Sequence, residues 1–365
     1  MHEFSFEVDA DITRARTPPS KLYTDPIIYD LARERVFARS WQLVADFDDV
    51  RVPGQVRPLT LLEGCLNEPL VLTRDHDDRV HCLSNVCTHR GYLVCEHAGV
   101  QKSLRCRYHA RRFALDGAFE HMPDFEQTAN FPSESDNLPA APLESWGRFW
   151  FASLAPSLNF DDWIAPVLQR VGWLPVHEYK FDAQRSRDYL VQCNWALYCE
   201  NYLEGFHIPF VHPDLSEVVE YGSYRTELYE WGNVQIGLTK GAAPAFTPPA
   251  DSPDAGREIA GYYFWLFPNL MLNFYPWGLS INIVKPLAVD RTRVSFLTYV
   301  GDASKLDAGA GAELDRVERE DESIVERVQQ GVSSRLYDRG RYSPTREQGT
   351  HHFHRLLAAA LRSPR

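Results

Sequence analysis

The chain has no apolar run of the length a bilayer crossing requires, so no membrane span is expected. It is short of base: 38 Lys and Arg stand against 50 Asp and Glu, a formal net charge of -12. That balance excludes a general nucleic-acid binder and suits an enzyme of small molecules with an electropositive protein partner. Acids occupy the first twenty residues where a secretion signal would place lysines and then an apolar core. No export signal is expected, and a cytoplasmic location is. A Gly-x-Gly-x-x-Gly strand-to-helix fingerprint is missing, so the chain is not expected to bind a nicotinamide cofactor itself. Internal repeats and low-complexity domains are missing too. Seven cysteines, an odd number, do not read as a disulfide scaffold and point instead to reduced thiols or metal ligands.

What is present is a chain of 365 residues, 44% apolar and 24% charged, long enough for a large core and two domains. Residues 25–41 space their apolar side chains as an amphipathic helix does. From about residue 42 to 150 the texture becomes short runs rich in Val, Leu and Phe, broken by Gly, Pro and Asp. That predicts a small antiparallel β domain, with DHDDR (residues 75–79) as a hairpin turn. DDWIAPVLQRVGWL reads as a helix and DYLVQCNWALY as a strand. Residues 218–300 read as further strands, interrupted by a Pro/Ala/Asp/Gly-rich loop or lid at 241–256. From residue 310 onward the pattern is helical.

Within the β domain, Cys87-Thr88-His89 is followed sixteen residues later by Cys106-Arg107-Tyr108-His109. Two thiolates and two imidazoles can hold a tetrahedral zinc or a two-iron, two-sulfide cluster. Each half here mixes one Cys with one His, and no long helix separates the halves, which favours the cluster. Cys82 and Cys95 could form a clamp across these loops, but read better as small buried residues.

A second constellation lies at residues 194–212, NWALYCENYLEGFHIPFVH. Two histidines and several acids and amides sit inside an apolar, aromatic run. Burying them costs folding energy unless a partner such as a metal satisfies them. His207 and His212, with one distant carboxylate, would make the two-histidine, one-carboxylate facial set that leaves positions open on Fe(II). Pro209 between them is expected to interrupt a regular helix.

With NVCTHRG (residues 85–91), the C-x-Y-H loop followed by F-x-L-D-G, and the N-W…E-N…H…H pattern, the chain resembles the large subunit of the Rieske non-haem iron oxygenases. The likeness runs over almost its whole length. It implies an α+β architecture: a small antiparallel β Rieske domain (42–158) inserted in a helix-grip-like catalytic domain (1–41 and 159–365). A central antiparallel sheet covered by helices would floor the active site. The resemblance implies that Cys87 and Cys106 bind the outer iron of a [2Fe-2S] cluster, and His89 and His109 the iron nearer the surface. The family's Gly-Trp after the last ligand is replaced by Ala110-Arg111-Arg112-Phe113, which should alter loop packing without removing a ligand.

The resemblance also assigns the mononuclear site. Its third ligand should come from the E-D…E…Q-x-G motif at residues 320–331, as Asp321, with Glu320 and Glu322 as alternatives. Glu326 is expected to pair with a basic group. Glu204 stands where the family usually has aspartate, the acid that bridges one subunit's iron histidine to the neighbour's cluster histidine. Glutamate there resembles the enzymes of quaternary ammonium compounds such as carnitine. Asn201 should lie near the iron without ligating it, while Glu200 and Trp195 support the fold.

Aromatic side chains between residues 261 and 277 should mostly be core, though a cluster of faces would suit a flat ring or a trimethylammonium head. Tyr202, Phe206 and Phe210 would line the same pocket or pack around it. The expected activity is O2 activation at Fe(II) to hydroxylate or oxidatively demethylate a small organic substrate. A separate reductase, with or without a ferredoxin, would draw the electrons from NAD(P)H. A head-to-tail homotrimer is implied, in which each cluster serves the neighbour's iron. The alternatives are a ring-hydroxylating dioxygenase of an aromatic acid and a non-catalytic Rieske electron-transfer protein.

Overall fold

The computed structural model describes residues 6–212, 224–239, 243–306, 308–312 and 314–362. It divides into two compact units: Met1–Phe37 with Leu158–Arg365, and Ala38–Ser157. None of its described helices is long and apolar enough to cross a membrane.

The 38–157 unit is built from short antiparallel strands, as the clipped Val/Leu/Phe runs predict. One sheet has four strands, in the order Val80–Ser84, Glu68–Arg74, Gln55–Leu61, Gly99–Val100. A second has Gln42–Asp46, Phe149–Ala152 and Leu143–Trp146, and a third joins Leu104–Arg105, Arg112–Phe113 and Phe119–His121. The turn at residues 75–79 forms because the Asp75 carboxylate accepts the backbone N–H groups of Asp77 and Arg79, each at 2.9 Å. Asp78 adopts φ 67° there, a left-handed conformation that Asp tolerates. Val56, Val71, Leu83, Leu104, Phe113 and Leu138 make one core with Cys87 and Cys106. Cys82 and Cys95 are both buried and free, so no clamp joins them.

The other unit is organised by a seven-stranded antiparallel sheet. Its order is Lys180–Val191, Arg291–Val300, Gly278–Ala288, Leu270–Tyr275, Ile259–Leu266, Gly232–Leu238, Arg225–Tyr229. The aromatic-rich 261–277 segment supplies two of its interior strands, and their alternation sorts the side chains. Tyr262, Phe264 and Phe274 point to one face and are fully buried. Asp25 caps the leading helix, Pro26–Arg35, by accepting the Ile27 N–H at 2.9 Å. Asn159 caps Phe160–Val171 in the same way.

Three expectations need correction here. The strand through DYLVQCNWALY ends at Val191. The Asn194 side chain accepts the Ala196 N–H at 3.0 Å, an N-cap that turns Trp195–Tyr202 into a helix. Pro209 opens the short helix Ile208–Val211 rather than interrupting one, since its missing N–H is not needed in a first turn. The C-terminal region is two helices, Leu314–Val332 and Gln348–Arg362, with an irregular stretch between them. Glu200 and Trp195 have the supporting contacts expected of them. Trp195 meets Phe37 and Phe353 edge-on, and Glu200 Oε1 lies 3.0 Å from the buried His354 Nε2. The loop within residues 241–256, described from Ala243, is tied down near its far end. There the buried Asp254 meets Arg170 Nε at 2.7 Å and accepts from the Tyr262 hydroxyl at 3.1 Å.

Candidate active site

The helix Trp195–Tyr202 delivers the chain to Glu204, His207 and His212, and the helix Leu314–Val332 brings Asp321 to them across 109 residues of sequence. Asp321 Oδ1 lies 3.1 Å from His212 Nε2 and 3.4 Å from His207 Nε2. One ligand atom from each of the three residues falls within 4.8 Å of the others. The remaining ring nitrogens are engaged by carboxylates. His207 Nδ1 lies 2.6 Å from Glu204 Oε1, and His212 Nδ1 lies 2.6 Å from Glu320 Oε2. Each ring is thereby oriented with Nε2 toward the shared point, an arrangement typical of metal-ligating histidines. Two imidazoles and one carboxylate meeting at a point, with room beside them, fit a mononuclear iron.

Asn201 donates to Asp321 Oδ1 at 2.7 Å, and Glu204 also accepts the backbone N–H groups of Phe206 and His207. Burial opposes charge on His207, but hydrogen bonds to Asp321 and Glu204 outweigh it and push its pKa up to about 10. Burial likewise opposes charge on Asp321, and the two histidines hold its carboxyl below the ordinary value. This cluster of opposite charges is poised to trade an imidazole proton for a cation.

Of the three successive acids, Glu322 is turned away from both histidines, and burial raises its pKa. Among the described residues Glu326 has no basic partner of the kind expected. Its Oε1 accepts the Gln192 backbone N–H at 2.9 Å, and Gln329 Oε1 does the same for Asn194 at 2.8 Å. These bonds dock the helix against the turn that starts Trp195–Tyr202.

Beside the three ligand atoms opens a cavity. Its floor is a row of cross-strand neighbours on one face of the sheet: Gln235, Tyr263, Asn273 and Ser280. Tyr275, Asn282 and Phe296 extend that face, and Tyr224 and Tyr202 stand over it. Tyr202 is locked by donating its hydroxyl to Asn273 Oδ1 at 2.7 Å, while Gln235 donates to its carbonyl at 2.6 Å. Phe206 and Phe210 are exposed and stand edge to face with each other instead of lining this space. The wall opposite is the helix face Leu314, Val317, Glu318, Asp321. Sequence reading missed Glu318, which donates nothing to the metal centre but accepts from the Tyr198 hydroxyl at 2.6 Å. Counting back three residues along the helix from Asp321 was the available signal.

In the other unit, each Cys/His half lies on a tight loop. The Cys87 N–H bonds to the Tyr92 carbonyl at 2.8 Å and the Cys106 N–H to the Arg111 carbonyl at 2.9 Å. Gly91 (φ 71°) and Ala110 (φ 61°) take the left-handed turns these loops require. The His89 and His109 rings stand edge to face, 4.7 Å between centroids. Burial, with the charges of His109, Arg90 and Arg111, holds the His89 pKa below its usual value, the direction that favours a metal-binding imidazole. Cys87 and Cys106 are the buried pair, 3% and 2% exposed, while His109 is exposed. The cysteine pair is therefore the deeper half of the set and the histidine pair the more superficial, which does not suit the expectation that the cysteines bind the outer iron. Two buried sulfurs under two more superficial imidazoles fit a Rieske cluster.

The sequence matches the ring hydroxylating alpha subunit (catalytic domain) family over residues 171–363 and the Rieske [2Fe-2S] domain over residues 40–132. A chloroplastic choline monooxygenase of Arabidopsis thaliana is 29% identical over 370 residues, covering 96% of this chain and 84% of its own length. The carnitine monooxygenase oxygenase subunit of Escherichia coli (strain K12) is 29% identical over 371 residues, covering 97% and 96%. Among solved structures, the quaternary ammonium Rieske monooxygenase CntA in complex with L-carnitine gives a TM-score of 0.76 at 22% identity, over 96% of this chain and 97% of that one. Naphthalene 1,2-dioxygenase from Rhodococcus sp. gives 0.73 at 18% identity, over 95% of each. Those two likenesses establish the fold: a Rieske β domain and an α+β catalytic domain with a large antiparallel sheet.

Proposed function

Because the chain belongs to the ring-hydroxylating alpha subunits of the Rieske non-haem iron oxygenases, we propose that it is an oxygenase component acting on a small alkylammonium compound. It is an oxidoreductase that carries a [2Fe-2S] cluster and a mononuclear iron. In this reading His207, His212 and Asp321 hold the mononuclear iron, and Cys87, His89, Cys106 and His109 hold the cluster. When bound, the cluster supplies electrons singly and the iron is the place where O2 is activated. A separate NAD(P)H-dependent reductase supplies those electrons.

The protein's own groups do the positioning. Glu204 accepts a hydrogen bond from the His207 Nδ1–H and Glu320 one from the His212 Nδ1–H, so both Nε2 lone pairs face the metal. Asn201 fixes the Asp321 oxygen that stands between the two rings. Glu204 is also assigned the contact that passes from His207 to a cluster histidine of a neighbouring subunit in a trimer.

The observation that carries the substrate class is the cavity beside the three ligand atoms. It is walled by the rings of Tyr202, Tyr224, Tyr263, Tyr275 and Phe296, with carboxylates at Glu204, Glu318 and Asp321. Aromatic faces and negative charge together suit a cationic head. An aromatic acid would bring a further negative charge into that space. The choline and carnitine monooxygenases among the relatives point the same way.

The test is reductant consumption and product formation with a panel of choline, carnitine, benzoate and phenylpropionate under isotopically labelled O2. Coupled turnover of an ammonium compound, with one labelled oxygen atom in the product, is expected. Turnover confined to the aromatic acids would overturn the reading.

A further inference from the structure

Among the described residues, Glu318 is the one carboxylate lining the cavity that neither ligand histidine uses. It sits one helical turn before Asp321 on the same face of the helix Leu314–Val332 and is 3% exposed. Its Oε2 accepts from the Tyr198 hydroxyl, but its Oε1 has no hydrogen-bond partner. A buried oxygen left unmatched costs free energy and is retained where a ligand completes it. Burial, more than any neighbour, drives its pKa well above the ordinary carboxylate range. The Tyr198 hydroxyl offsets only part of that, and among the described residues lining the cavity there is no lysine and no arginine.

Two consequences follow for what enters. A cation offers Glu318 Oε1 the countercharge it lacks, while the rings of Tyr263, Tyr275 and Phe296 offer faces to its methyl groups. A carboxylate on the same ligand would meet Glu204, Glu318 and Asp321 with no lysine or arginine among the described lining residues to receive it.

We propose that Glu318 is the countercharge for the substrate's ammonium head, and that the site takes small alkylammonium alcohols or amines bearing no carboxylate. This rests on the alkylammonium reading above and narrows it.

The experiment is calorimetric binding to the anaerobic, fully loaded oxygenase of three probes: choline, its neutral tert-butyl isostere, and carnitine. Native protein is expected to bind choline roughly tenfold or more tighter than either other probe, the margin of a charge pair in a poorly solvated site. Glu318→Gln keeps the shape and an acceptor for Tyr198. It should reduce the choline-over-isostere ratio to about twofold or less while binding of the isostere and the iron content stay as in the native protein. If Glu318→Gln keeps the native ratio, the assignment of Glu318 falls while the alkylammonium reading stands. If carnitine binds as tightly as choline, the exclusion of carboxylates falls. Should the variant not fold, the native ratio decides: equal binding of choline and its neutral isostere overturns the countercharge. No binding of either ammonium compound, with an aromatic acid turned over, overturns the broader reading instead.

Discussion

Arg111 occupies the place where the family carries tryptophan, and it is 2% exposed. It packs as the aromatic would, its guanidinium 4.9 Å from the Phe119 ring centre and within 5.6 Å of Phe113 and Phe131. Its charge is met by Asp136 Oδ1 at 2.7 Å and the Asp136 carbonyl at 3.0 Å. Arg111→Ala would leave the Asp136 charge without its cation and three rings without their cover. A loss of about 3 kcal/mol or more is expected, read as a lower denaturant midpoint and poorer cluster retention. Although burial opposes ionisation of Asp136, Arg111 holds its pKa below 3.8. A carboxyl depressed on folding contributes stability above its unfolded value, near 4, and loses it as pH falls through the lower folded value. Asp136→Asn should therefore flatten the acid limb of the stability profile below about pH 4, measured by fluorescence-monitored unfolding. Glu204→Gln makes a different point. An amide oxygen can still accept from His207 Nδ1, so iron content should hold. The lost charge should cut coupled turnover roughly tenfold to a hundredfold, and unchanged turnover would remove the bridging role.

At the scale of elements, the helix Leu314–Val332 decides the site. Residues 320, 321 and 322 are each rotated by about 100° from the next, so the three successive acids cannot all face the histidines: Asp321 meets both Nε2 atoms and Glu320 reaches only His212 Nδ1. Spacing along the chain could not choose among them; the docking bonds from Glu326 and Gln329 to the 192–194 turn set the rotation that does. Asp321→Ala should strip the mononuclear iron and spare the cluster. Glu320→Ala should keep the ligands but weaken iron binding about tenfold to a hundredfold, both read by metal analysis and the reduced-cluster spectrum. The same helix shows what was legible. The Cys/His halves and the histidine pair could be recognised because their ligands lie a few residues apart in one segment. Glu318 offered only its place one helical turn before Asp321, since an acid facing a cavity and an acid facing solvent look alike until the opposite wall is known. The strand misread through Trp195 had a visible cue, because Asn before an apolar run is a capping signal. In the sheet, alternation foretold interior strands, yet only register shows that Gln235, Tyr263, Asn273 and Ser280 form one row.

For the whole molecule, the proposed head-to-tail trimer makes a complementation test possible. Cys87→Ala chains should lack the cluster and Asp321→Ala chains the iron, and each alone should be inactive. Unfolded and refolded together, they should regain a measurable share of native turnover if electrons cross between subunits. A mixture that stays inactive despite forming trimers would place transfer within one chain. A last consequence concerns folding. His212 and Asp321 are 109 residues apart, and six of the seven strands of the large sheet lie between them. An ion shared by the two ends closes that whole stretch into a loop, as a removable staple would. Closing so long a loop takes entropy from the unfolded chain, so iron should act as a stabilising crosslink as well as a reagent. Chelation should lower the melting temperature of the catalytic unit, and reloading should restore it in proportion to free metal.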